Sequence, residues 1–92
     1  MMKYLVEFIG TFIFLSVILT TGQAIPIGIA LAAVIYWGGS ISGGAFNPAV
    51  ALALFIKKNI TSLEFVGYVV AELLAAVLAL QFVKYSSSLK SN

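Results

Sequence analysis

Arg, His, Asp and Cys are all absent from this sequence. Without Cys there is no disulfide and no thiolate chemistry, and nearly every metal site is lost with it. Without His there is no side chain whose ordinary titration falls near neutral pH. No nucleophile–base pair or metal cluster remains from which an active site could be assembled, so an enzyme is not expected and no cofactor is implied. Charge is scarce as well: five Lys and three Glu in 92 residues. The lysines are scattered and form no basic patch for nucleic acid. What the sequence does have is apolar residues, 62% of the total. A soluble domain of this size lacks the interior to hide that much apolar surface. A lipid solvent accounts for it, which makes the chain an expected integral, multi-pass membrane protein with the bilayer as its partner.

Three apolar runs organise the chain. The first span is expected over residues 4–21, where the run from Tyr4 to Thr20 is interrupted only by Glu7 and Ser16. It reaches ~26 Å, close to the thickness of a bilayer core. With Glu7 inside it and no clear small-residue cleavage site after it, the run reads as a retained span rather than a signal peptide. The second span is expected over residues 25–38, with Pro26 in its first turn, where no amide donor is needed. The third, residues 62–84, is opened by the capping-box pair Thr61 and Glu64 and closed by Lys84. The polar tail from Ser86 to Asn92 is expected to fray. Tyr36, Trp37 and Tyr85 read as interfacial aromatics or as packing residues.

The segment between the second and third runs carries the most information. Gly38-Gly39-Ser40-Ile41-Ser42-Gly43-Gly44 holds four glycines in seven residues, a composition costly for a helix. Asn47 then offers an N-cap and Pro48 suits the first helical position. A helix over residues 47–57 is ~15 Å long, about half a bilayer. The chain is thus expected to enter the membrane, unwind and return as a re-entrant half-helix. Irregular backbone at that depth is tolerated only against protein or a water-filled lumen. A helix lying on the membrane surface fits less well, because Ala49 to Ile56 has no polar face.

At this point a family can be named from the residues. Ile41 to Leu54, ISGGAFNPAVALAL, resembles the first pore loop of the aquaporin and glycerol-facilitator family. Glu7 to Phe12, EFIGTF, looks like that family's first helix. Gly67 to Ala76, GYVVAELLAA, looks like its third, with Glu72 where Gln is usual. The resemblance covers nearly the whole chain. It implies an all-α membrane fold: one aquaporin-like half-channel domain over residues 1–92, of three transmembrane helices and one half-helix.

Family members combine two such halves in inverted orientation, and these residues supply one. A half-helix end left without a counterpart in hydrocarbon costs several kcal/mol per unsatisfied group. The expected completion is a second copy inserted upside down, with two chains doing what inverted repeats do within one. In the family's topology Lys3, Lys57 and Lys58 share one side while Lys84 and Lys90 share the other, a bias weak enough to permit dual topology. The resemblance further implies four such pores around an axis, or eight chains.

The resemblance assigns roles to particular residues. Asn47, Pro48 and Ala49 form the pore motif, with the Asn47 amide donating to passing water near the midplane. Gly43, Gly44 and Ala45 are expected to turn carbonyls toward the lumen. Glu7, and with it Glu72, reads as a brace for the loop, although an intramembrane carboxyl also fits a proton-transport site. Gly28 and Ala32 form a small-xxx-small pair for close helix packing. Counting offsets from Asn47, the selectivity constriction maps to Ile27 from one chain with Ile35, Gly44 and Val50 from its partner. It would carry no Arg, where typical members have one. The leading function is a passive channel for water or small uncharged solutes. A small dual-topology exporter, with Glu7 exchanging protons for a cationic substrate, is the alternative, and a non-conducting assembly module is a third.

Overall fold

The computed structural model describes residues 1–90, all helical or in short connections: α1 (Met2–Thr21), α2 (Ala24–Ser42), α3 (Pro48–Ile56) and α4 (Ser62–Lys90). Three of these, α1, α2 and α4, are long and apolar enough to cross a membrane. Local signals set their ends. Gly22 takes a left-handed conformation after α1 and its amide donates to the Ile18 carbonyl at 3.0 Å, the usual glycine stop. Thr61 and Glu64 open α4 with a reciprocal pair: the Glu64 amide donates to Thr61 Oγ1 at 3.1 Å, and the Thr61 amide to Glu64 Oε1 at 2.9 Å.

α1 is the central element. Both α2 and α4 pack against it, and α3 packs on α4. α1 and α4 run parallel. Near their N-terminal ends Lys3 pairs with Glu64 and Tyr4 meets Tyr68 edge-on at 6.0 Å; nearer their C-terminal ends Phe12 meets Phe82 at 5.5 Å. Small and polar residues are buried on both helices: Gly10 and Thr11 on α1, Ala71, Ala75 and Ala79 on α4. Without a hydrophobic driving force in lipid, close backbone approach and van der Waals contact hold such helices together.

Two expectations need correcting. The glycine-rich stretch was expected to break the second helix from Gly38, yet α2 continues through Ser42 and the chain is irregular only over residues 43–47. The reason is packing. A β-carbon on Gly38 would overlap the Val6 side chain, so glycine is what lets α1 and α2 touch, and tertiary contact outweighs helix propensity. The break waits for Gly43, which is left-handed at φ 92° and donates to the Gly39 carbonyl at 2.8 Å. The tail was expected to fray, yet α4 stays helical to Lys90; Ser91 and Asn92 lie outside the described residues. At 29 residues α4 reaches ~44 Å, so its serine-rich end can stand beyond the apolar core and meet water with its helix intact.

Candidate functional site

The site is built around the connection between α2 and α3. Gly43 and Gly44 have φ of 92° and 68°, and Phe46 has φ of 52°. A left-handed phenylalanine is strained by roughly 1–3 kcal/mol and persists only when its surroundings hold it. Here they do. The Phe46 ring is 1% exposed and packs with Val6 and Val34. It lies over Gly10, where a β-carbon would overlap it. Gly10 is near the middle of the twenty-residue α1, so the loop sits beside the midpoint of that helix.

Three consecutive backbone amides of the loop face inward. Gly44 donates to Ser42 Oγ at 3.1 Å, Ala45 to Glu7 Oε2 at 3.1 Å and Phe46 to Glu7 Oε1 at 2.7 Å. Ser42 Oγ also donates to Glu7 Oε2 at 2.7 Å, and the Tyr68 hydroxyl donates to the Ser42 carbonyl. Glu7 is fully buried and takes three donors. In a trans peptide the carbonyl points opposite to the amide that follows it, and the chain has no cis bond. With the amides of Gly44, Ala45 and Phe46 turned toward Ser42 and Glu7, the carbonyls of Gly43, Gly44 and Ala45 are turned the other way. Among the described residues those carbonyls accept no hydrogen bond.

Asn47 follows in extended conformation and caps α3, its Oδ1 accepting from the Ala49 amide at 2.7 Å. That bond fixes the side chain and leaves both amide protons of Nδ2 free to donate. Asn47 is exposed in the single chain, and so are Ala49 and Val50, with Pro48 half-buried. The positive end of the α3 dipole lies at the same place.

The remaining residues singled out in the sequence fall into separate groups. Ile35 and Gly44 are neighbours: a β-carbon on Gly44 would lie 3.6 Å from Ile35 Cγ1. Val50 is 41% exposed on the first turn of α3. Ile27 stands two turns before Ile35 on α2, ~12 Å away along the helix axis, and does not join them within one chain. Gly28 and Ala32 are exposed, and a β-carbon on Gly28 would meet nothing within 4 Å. Glu72 is 1% exposed on α4, a helix that packs against both α1 and α3. Sequence reasoning passed over Ser42, Phe46 and Tyr68, which complete the inner support of the loop. Only Ser42 had a visible signal, a hydroxyl directly before the Gly-Gly pair.

Comparison with known proteins gives a consistent picture. The family model described as major intrinsic protein matches residues 1–91. The chain is 41% identical to glycerol uptake facilitator protein-like 6 of Lactiplantibacillus plantarum (strain ATCC BAA-793 / NCIMB 8826 / WCFS1), covering 91% of this chain and 43% of that protein. It is 36% identical to a probable aquaporin TIP-type of Medicago truncatula, covering 90% of this chain and 42% of that one. It is 32% identical to aquaporin PIP2-7 of Arabidopsis thaliana, covering 85% and 34%. The chain therefore spans less than half the length of these relatives. No solved structure matches it.

Proposed function

The chain belongs to the major intrinsic protein family and is an integral, multi-pass membrane protein, and from this premise we propose that it supplies half the wall of a passive pore for water and small uncharged solutes. The observation that carries the proposal is the polarity split of the 43–47 loop. Its amides are tied to Glu7 and Ser42 behind it, while the Gly43, Gly44 and Ala45 carbonyls and the Asn47 amide protons are left unpaired on the other side. Buried polar groups left unpaired in lipid are costly, so that side belongs against a water-filled lumen. Carbonyls in a row accept from a solute and Asn47 donates to it, which together replace its hydration shell.

The open side needs a second wall. A second copy of this chain, inverted in the bilayer, brings another Asn47 and another half-helix to the midplane. Each half-helix end contributes roughly half a positive charge there, which repels cations and protons. Lys3, Lys57 and Lys58 fall at the membrane side where α1 and α4 begin, and Lys84 and Lys90 at the other. So even a charge balance lets the chain insert in either direction. Four such two-chain pores around an axis would make eight chains.

The exporter reading, in which Glu7 exchanges protons, has less support. Glu7 is fully buried, and both its oxygens are taken by Ser42, Ala45 and Phe46. A proton-exchange site needs access to solvent.

Vesicles containing only this chain test the proposal. They should swell in an osmotic gradient faster than protein-free vesicles, at a rate indifferent to a pH gradient. Asn47→Cys, in a chain with no other cysteine, should give cross-linked dimers with a short bis-maleimide. Swelling no faster than lipid alone would overturn the channel, and C-termini all reachable from one side would overturn the inverted pair.

A further inference from the structure

The far end of α4 carries positive charge that the rest of the chain does not answer. The sequence has three Glu and no Asp. Glu7 and Glu72 are buried, and Glu64 pairs with Lys3 where α1 and α4 begin. Lys84 and Lys90 stand toward the other end of α4, exposed and, among the described residues, in no ion pair.

Beside Lys90 lies a notch of about 220 Å³ between the last turn of α1 and the last two turns of α4, lined by Leu19, Thr20, Val83, Ser86, Ser87 and Lys90. These residues bring three hydroxyls and one ammonium to one space. None of the four groups has a hydrogen-bond partner among the described residues. A cation in the last turn of α4 complements the helix dipole, which accounts for Lys90 alone. It does not account for hydroxyls from two helices gathered around it. Two of the carbonyls at the α1 end are already occupied: Thr21 Oγ1 donates to the Val17 carbonyl at 2.9 Å and the Gly22 amide to that of Ile18 at 3.0 Å. A set of hydroxyl and ammonium donors suits an anion with several acceptor oxygens.

Depth narrows the choice of anion. The twenty residues of α1 reach ~30 Å, the thickness of a hydrocarbon core. With the Lys3–Glu64 pair near one boundary, the end of α1 and the notch beside it come at the other. Tyr85, next to Ser86 and 65% exposed, suits the same level. Lipid phosphate is concentrated in the headgroup layer that starts there, whereas a phosphate from water would be held by one lysine. We propose that this notch binds the phosphodiester of an anionic phospholipid, with Lys90 supplying the charge and Thr20, Ser86 and Ser87 the directed hydrogen bonds. The inference needs only a chain in a bilayer and does not rest on the pore reading.

Native mass spectrometry of the full chain, stripped of lipid in detergent and titrated with defined lipids, tests it. Wild type should take up one phosphatidylglycerol per chain at severalfold lower concentration than phosphatidylcholine, whose choline cation offsets the phosphate charge. Lys90→Gln should abolish most of that preference, as should Ser86→Ala combined with Ser87→Ala, while Lys90→Arg should keep it. Lys84→Gln removes the same charge from the same end of α4 outside the notch, and should leave the preference intact. These positions are exposed or half-buried, so helical circular dichroism should be unchanged in every variant. Equal uptake of the two lipids by wild type overturns the proposal. So does an equal loss in Lys84→Gln and Lys90→Gln, which would reduce the effect to net charge at that end. Millimolar ammonium phosphate in the same solution should not displace the lipid; displacement would make the notch a site for phosphate from water and overturn the assignment to lipid.

Discussion

At the scale of single residues, the site depends on pairs in which one member is small or charged because of the other. Glu7 accepts at both oxygens. In Glu7→Gln one oxygen becomes an NH2 group facing donors, so either the Phe46 amide or the Ala45 amide is left buried without its acceptor. That costs about 1–3 kcal/mol. Thermal unfolding in detergent should show the loss, and an unchanged melting point would mean these bonds do not hold the loop. Gly10 and Phe46 form a second such pair. Gly10→Ala drives a methyl into a ring that the left-handed backbone cannot move aside; overpacking of this kind costs about 1–3 kcal/mol. Gly28→Ala is the control, since its methyl enters open space and removes a helix glycine, which should stabilise the chain by up to about 1 kcal/mol. If both substitutions shift the melting point alike, the Gly10–Phe46 contact is not what limits the loop.

At the scale of elements, much of the chain could be read directly, because local chemistry writes helix starts. Thr61 and Glu64 signalled α4 by spacing alone, and the structure shows both reciprocal bonds. Thr61→Ala removes one of them at an exposed position and should cost about 1 kcal/mol by thermal unfolding; no change would mean that lipid packing alone holds that end. Asn47 and Pro48 marked α3 in the same way. The end of α2 was misread because its glycines serve two purposes with the same letter. Gly38 is a packing residue inside a helix, and Gly43 is the stop. Nothing in the local sequence separates them, since the difference is whether Val6 lies across the way. Phe46 was unreadable for a similar reason. Its strain is held by Val6, Gly10 and Val34, from two helices distant in sequence. Motif and composition made the three spans and the half-helix legible, while the support behind the loop required the fold.

At the scale of the whole molecule, the question is what the proposed pore would reject. The proposed inverted pair would place Ile27 of one chain opposite Ile35, Gly44 and Val50 of the other, once near each membrane face. Within one chain Ile35 and Gly44 are already neighbours and Val50 is exposed, while Ile27 stands apart and needs a second chain to meet them. Each constriction would be apolar, with no guanidinium to donate several hydrogen bonds or to repel cations. Selection would fall to the carbonyls of Gly43, Gly44 and Ala45 and to the two Asn47 amides. A wall of Ile and Val passes small neutral solutes with little discrimination, and it also risks emptying of water. Val50→Arg restores a fixed charge and a multi-donor group where α3 begins. Vesicles carrying it should keep much of their water flux while permeability to a solute such as glycerol or urea falls severalfold. The charge is costly in hydrocarbon, so inserted protein must be measured alongside. A correctly assembled Val50→Arg pore with unchanged solute permeability would place Val50 outside the constriction, and selection would then have to reside in the loop carbonyls and Asn47.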